Sequence, residues 1–269
     1  IIDKPSVGLW MEMGLGKTVV TLTAIDTLIY DAAEIQRVLV VAPKKVAEAT
    51  WQDEAQKWDH LQHLRISTVL GTEAQRIAAL NTPADVYIIN RENCYWLVGH
   101  YGRHWPFDMV VLDEASSFKN HAAQRFKALK AVRPKIAKVV ELTGTPAPNN
   151  LLDLWAQIYL LDQGERLGKY VTHYRQAYFW PTEYSWEAKD GAGDAIRRKI
   201  SDLVLSFKAA DLLELPEKIV EDVPVVLDAK AAAAYKTMEK KCLLQVDGEA
   251  ITAQQAASLT NNCLLYTSD

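Results

Sequence analysis

No stretch of this sequence stays apolar and uncharged for the roughly 18 residues that a membrane-spanning helix needs, so that class is not supported. The N-terminus, Ile1-Ile2-Asp3-Lys4-Pro5, has no basic region followed by an apolar run and is not a signal peptide. Cysteine is scarce: Cys94, Cys242 and Cys263 stand far apart with no CxxC pair, which offers no zinc site and fits a reducing, cytoplasmic setting. His100 and His104 are four apart, but Gly102 lies between them and no HExxH arrangement surrounds them, so they read as ordinary polar histidines. Positive charge is not in excess: the formal net charge is -4, so any nucleic-acid contact must come from local patches. No internal repeat is present. The chain also lacks an initial methionine and reaches a glycine-rich motif almost at once, so its native start is expected upstream.

What remains is the balance of a soluble globular protein, 49% hydrophobic and 24% charged, in 269 residues. That length suffices for one large domain or two ordinary ones. From Val7 to Leu142, short apolar runs alternate with amphipathic stretches. Strands are expected at Val7–Trp10, Val38–Ala42, Leu64–Leu70, Val86–Asn90, Met109–Asp113 and Lys138–Leu142. Helices are expected at Lys17–Tyr30, Lys44–Trp58, Glu73–Leu80 and Gln124–Arg133. Several strands are apolar at every position, as strands covered on both faces should be. The expected fold is therefore α/β, three layers with a mainly parallel sheet. Past Leu161 the pattern loosens into an aromatic stretch, Tyr170–Trp186, and a loop, Lys189–Asp194. Helices are expected around Ala195–Leu205 and Ala209–Leu213, an edge strand at Lys218–Leu227 and a helix at Ala229–Leu244. The last residues, Cys263–Asp269, match no element boundary and read as a non-native tail.

Three segments carry chemistry, each at a strand end, where parallel sheets bind ligands. Met13-Gly14-Leu15-Gly16-Lys17-Thr18 opens a helix directly after a strand. Its glycines let backbone N–H groups curl around polyphosphate, Lys17 would reach the β- and γ-phosphates, and the Thr18 hydroxyl would ligate Mg²⁺. The strict pattern has glycine where Met11 stands; a glycine-rich turn with an incidental lysine is the plain alternative. In Met109-Val110-Val111-Leu112-Asp113-Glu114, a buried strand delivers two acids. Asp113 would hold Mg²⁺ through water, and Glu114 would orient or deprotonate the attacking water. Alone, such a doublet is as well read as a solvated turn. Together, the two segments point to one ATP–magnesium pocket. The third segment, Leu142-Thr143-Gly144-Thr145-Pro146, carries small hydroxyl residues that can couple to the acidic strand when the γ-phosphate leaves.

In this order, with Val40-Val41-Ala42-Pro43 between the first two and Ala147-Pro148-Asn149-Asn150 closing the third, the motifs resemble the first lobe of Swi/Snf-type ATPases of helicase superfamily two. The likeness is to their compact phage and bacterial forms, and it covers roughly Val7 to Tyr235. The family usually carries Asp at Met11 and often His at Ser116. The resemblance implies a RecA-like P-loop NTPase lobe, with a Walker A motif and a DEAD-like acidic motif. It implies residues 1–161 as the ATP-binding lobe, 162–217 as a helical protrusion, and 218–262 as an exit toward a second RecA-like lobe that supplies arginine fingers. It further implies a DNA-dependent ATPase moving on double-stranded DNA. The alternatives are a single-strand DNA or RNA helicase, or an ATP-gated binding module.

Between Glu114 and Glu141 stand seven basic residues and no acid: Lys119, Arg125, Lys127, Lys130, Arg133, Lys135 and Lys138. They are candidates for phosphate contact, against the alternative of a solvated helix face. The resemblance adds Lys44, Lys45, Asn90 and Arg91 as nucleic-acid contacts at strand ends. Tyr174, Tyr178, Phe179, Trp180 and Tyr184 read as a small hydrophobic subdomain, or as stacking platforms for bases.

Overall fold

In the computed structural model, residues 1–144, 151–183 and 185–212 are described, with short pieces at 232–233, 235–236, 243–246 and 249–252. Contacts divide the chain into Ile1–Leu215 and Pro216–Asp269. In the first unit the chain runs β1 (Ser6–Met11), α1 (Lys17–Asp26), β2 (Val38–Ala42), α2 (Trp51–Lys57), β3 (Ile66–Val69), α3 (Glu73–Asn81), β4 (Val86–Asn90) and α4 (Cys94–Tyr101). It continues through β5 (Met109–Asp113), α5 (Gln124–Val132), β6 (Lys138–Thr143), α6 (Leu154–Asp162), α7 (Val171–Tyr178), β7 (Phe179–Pro181), β8 (Trp186–Ala188), α8 (Ala192–Ile200), β9 (Val204–Phe207) and α9 (Ala209–Leu212).

Seven strands form one sheet in the order β3-β4-β2-β5-β6-β1-β9, every neighbour pairing parallel. The strands β2, β4 and β5 have no exposed position, and the polar residues that close β4 and β5, Asn90 and Asp113, are buried with the rest. Alternate residues of each strand face opposite layers. Val40, Ile88, Val111 and Leu142 pack with Leu22 and Ile25 of α1 and Trp51 of α2. Val41, Ile89, Val110 and Val139 pack on the other side with Leu97 of α4, Phe126 of α5 and Ile158 of α6. Each such fully buried side chain contributes on the order of 1.5–3 kcal/mol relative to leaving it in water.

The segment 195–205 differs from the helix expected there. The helix ends at Ile200, and Val204–Phe207 joins the sheet beside β1, with Gly8 opposite Val204 and Met11 opposite Phe207. The open edge of β1 offers unpaired backbone groups, and pairing them outweighs a local helical pattern. Ile196 and Ile200 of α8 and Tyr174 of α7 join the α5–α6 side of the core. In the second unit, Leu243–Val246 and Glu249–Thr252 form an antiparallel pair, β10 and β11, so the helix expected through Leu244 gives way to strand at Leu243. The expected strand at 218–227 lies outside the described residues. Among the described residues no helix is long and apolar enough to cross a membrane.

Candidate functional site

β1 ends at Met11, and the chain turns into α1 through Gly14 and Gly16, at φ 82° and 73°. That left-handed region costs other L-residues about 1–2 kcal/mol. A side chain at Gly14 would meet nothing within 4 Å, so conformation and not space demands glycine there. α1 begins with no side-chain cap and no acid in its first turn. Its first N–H groups, and the positive end of its dipole, are left for a ligand. α3 shows the contrast: Thr72 and Gln75 close its N-terminus with a reciprocal capping box. The Lys17 ammonium donates to the carbonyls of Met11 at 2.8 Å and Glu12 at 3.1 Å, weak partners that a polyphosphate would replace with formal charge.

β6 lies directly between β1 and β5, so the carboxyl ends of these three strands are consecutive along the sheet edge. Asp113 closes β5 and is buried. One of its oxygens accepts the Trp51 indole N–H at 2.9 Å, and the other accepts the Glu114 backbone N–H at 3.0 Å. Glu114 itself takes a left-handed backbone, φ 52° and ψ 57°, a strained conformation for a non-glycine residue. Burial raises the Asp113 carboxyl above its usual range, against the pull of Trp51, the Glu114 N–H and the Lys17 charge. Burial also raises Glu114, Asp113 beside it adds to the rise, and Lys17 and Arg91 oppose it. Lys17 thus acts on both acids: the glycine turn and the acidic doublet occupy one neighbourhood. Gly144 joins them, since a Cβ there would lie 3.6 Å from Met13 Cγ and 3.9 Å from Glu114 Oε1. Thr143, the last residue of β6, is buried, and Thr145 lies outside the described residues.

The donors suit a nucleoside triphosphate with magnesium. The uncapped helix and Lys17 answer phosphate oxygens, and the Thr18 hydroxyl and Asp113 carboxylate are the hard oxygen ligands that Mg²⁺ takes. A cation beside Asp113 would offset the burial that disfavours its charged form.

The other expected contacts divide. Lys44 and Lys45 are exposed just past β2, Lys44 lying 3.9 Å from Glu48. Asn90 is buried, donating to Glu92 at 2.8 Å and accepting from Asn93 at 2.6 Å, so its amide serves the local turn. Arg91 donates to Glu92 at 3.0 Å. Lys119 pairs with Asp153 at 3.2 Å. In the basic run, Arg133 is a correction: it is buried, donating to the Ile136 carbonyl and the Ser6 hydroxyl, each at 2.9 Å, and to the carbonyls closing α6. Its Nε, Nη1 and Nη2 donors are all engaged by these protein partners. Lys135 donates to the Arg103 carbonyl at 2.9 Å, and Lys138 pairs with Glu34 at 3.3 Å. Of the aromatics, Tyr174 and Phe179 are core, with the Tyr174 hydroxyl on the Leu151 carbonyl at 2.6 Å. Trp180 is exposed beneath Lys189. Tyr184 lies outside the described residues.

Two residues of the site carry no sequence signal that names their roles. Trp51 is legible as a large residue on an amphipathic helix, and a buried indole N–H needs an acceptor. Nothing local points it to Asp113. Glu12 accepts the Ala209 N–H at 2.7 Å, tying the glycine turn to α9 just beyond the unforeseen β9.

Residues 6–267 match the family described as SNF2-related domain. Protein p41 of Acyrthosiphon pisum secondary endosymbiont phage 1 is 38% identical over all of this chain and 61% of its own length. The DNA excision repair protein ERCC-6-like of Mus musculus is 29% identical over 73% of this chain and 16% of its own. The chain thus spans less than two thirds of the length of each of these relatives. In three dimensions it is similar to the structure titled Sulfolobus solfataricus SWI2/SNF2 ATPase core in complex with dsDNA. The TM-score is 0.62 at 23% identity, over 97% of this chain and 52% of that one, a likeness of fold. The chain belongs to the SNF2-related domain family, helicase-like ATPase domains on a RecA-like α/β fold.

Proposed function

We propose that this chain is the ATP-binding lobe of a DNA-dependent ATPase that couples hydrolysis to movement on duplex DNA. The observation that carries the reading is the meeting of an uncapped, lysine-bearing helix N-terminus with a buried acidic doublet across adjacent strand ends. In this reading Gly14 and Gly16 shape the backbone around the phosphates, and Lys17 leaves the Met11 and Glu12 carbonyls for them. Asp113, oriented by Trp51 and the Glu114 N–H, holds magnesium with Thr18. Bound magnesium neutralises phosphate charge. Glu114, raised by burial and by Asp113, accepts a proton from the attacking water more readily than an ordinary glutamate. Gly144, close to both Met13 and Glu114, is where the coupling segment senses the nucleotide. Lys44, Lys45 and Arg91, at the ends of β2 and β4, are the contacts for the tracked strand. A second lobe completes the site with arginine fingers, typically about 10³–10⁵ in rate.

The test uses the longer parent chain. ATP hydrolysis should rise on adding duplex DNA, and Glu114→Gln should remove it, by about 10²–10⁴-fold or more, while Mg-ATP still binds. Turnover indifferent to DNA would refute the motor reading. Full activity in Glu114→Gln would refute its role.

A further inference from the structure

A cavity of about 270 Å³ opens between α5, α6 and the start of α7, sharing no lining residue with the candidate nucleotide site. Its floor is apolar, with Phe126 and Trp155 buried. Its rim is cationic: Lys127, Lys130 and Lys169 line it, and no acidic residue does. None of these lysines forms an ion pair among the described residues. Lys130 lies 4.3 Å from the Tyr159 ring centroid, a contact that holds its ammonium near the wall. His121 packs edge-on against Trp155, and its pKa is lowered by burial and then by Arg175, Lys127 and Lys130. Several positive charges therefore converge on this one imidazole. At the mouth stands Tyr170, 62% exposed and touching His173 at 5.4 Å between ring centroids.

Cations that follow phosphates, beside an open aromatic ring that stacks a base, are how proteins hold unpaired nucleotides. We propose that this cavity takes one nucleotide unit of a single-stranded nucleic-acid segment, its phosphate on Lys127 and Lys169 and its base on Tyr170. The volume is at the small end for ligand sites, which suits a single unit. In a duplex the bases are stacked on one another, so an unpaired strand is required. None of the strand-end residues Lys44, Lys45 and Arg91 lines this cavity.

The test is fluorescence anisotropy of a dye-labelled oligo-dT on the full chain without ATP. Lys127→Ala/Lys169→Ala should weaken binding at least tenfold and lower the salt slope by about 1.4, two contacts at about 0.7 each. Tyr170→Ala should weaken binding roughly tenfold and leave the salt slope unchanged. All three side chains are exposed, so melting temperatures should hold. Wild-type affinity and slope in the double variant would overturn the proposal. So would displacement of the probe by AMP or inorganic phosphate as effectively as by unlabelled oligo-dT, which would mark a site for free anions. Lys44→Ala/Lys45→Ala is the separate arm: loss there, with none at Lys127 and Lys169, removes this proposal and leaves the duplex-motor reading standing.

Discussion

Replacing Trp51 with Phe takes one donor from a buried carboxylate and keeps an aromatic ring in the core. The indole N–H stands 2.9 Å from Asp113, and Trp51 is fully buried, so no water can take its place without rearrangement. A hydrogen bond to a charged group nets about 1.5–3 kcal/mol. At 1.36 kcal/mol per pKa unit, its loss moves the carboxyl up by roughly one to two units. Burial already raises Asp113, so the variant should lose the charged form at a higher pH than wild type. Calorimetric titration with Mg-ATP across pH checks this. The acid-side loss of affinity should shift upward by about one unit or more, with affinities converging well above both midpoints. Stability follows the same sign. A raised carboxyl binds more protons folded than unfolded, so stability falls as pH rises from the ordinary aspartate range to the folded value. Trp51→Phe extends that window, and its melting deficit should grow with pH across it. An affinity loss equal at every pH would refute the reasoning and leave Trp51 as mere packing.

Gly16→Ala should lower stability by about 1–2 kcal/mol in urea denaturation, because φ is 73° and the new methyl would meet Val19 Cγ1 at 3.3 Å. Its Mg-ATP affinity should fall with it; wild-type stability would show that the turn tolerates side chains. Glu141 sits wholly buried on β6 with neither carboxylate oxygen hydrogen-bonded, and burial raises it well above the usual glutamate range, Arg133 opposing. Wild type should therefore lose stability as pH rises above that range, while Glu141→Gln, with nothing to ionise, should not. The variant's melting advantage should grow with pH; a difference flat across pH would count against a raised Glu141. Arg133→Met should destabilise by about 3 kcal/mol or more, stranding the carbonyls of Leu160, Leu161 and Ile136. Denaturation like wild type would show those carbonyls satisfied otherwise.

Much of the lobe was legible because its signals are local. Val38–Ala42 and Met109–Leu112 are apolar throughout, as strands covered on both faces are. β9 was not legible: Val204-Leu205-Ser206-Phe207 has too few residues for a period, and its strand state comes from the free edge of β1. α4 was missed for a related reason. Cys94–Tyr101 is rich in weak helix formers and contains Gly99, and what holds it is Cys94 and Leu97 buried against the sheet. The basic run misled at Arg133, because charge counted along the chain does not say which side chains point inward.

The amino-acid order alone determined the glycine turn that must adopt positive φ, the acids at the end of a buried strand, and the alternation that makes a parallel sheet. Each follows from backbone sterics or burial within a few residues. Tertiary structure alone decided that β6 inserts between β1 and β5, that Trp51 orients Asp113, and that Lys127, Lys130 and Lys169 surround one cavity. Those facts depend on which distant segments meet, and pairing and packing energies across the whole sheet settle that choice.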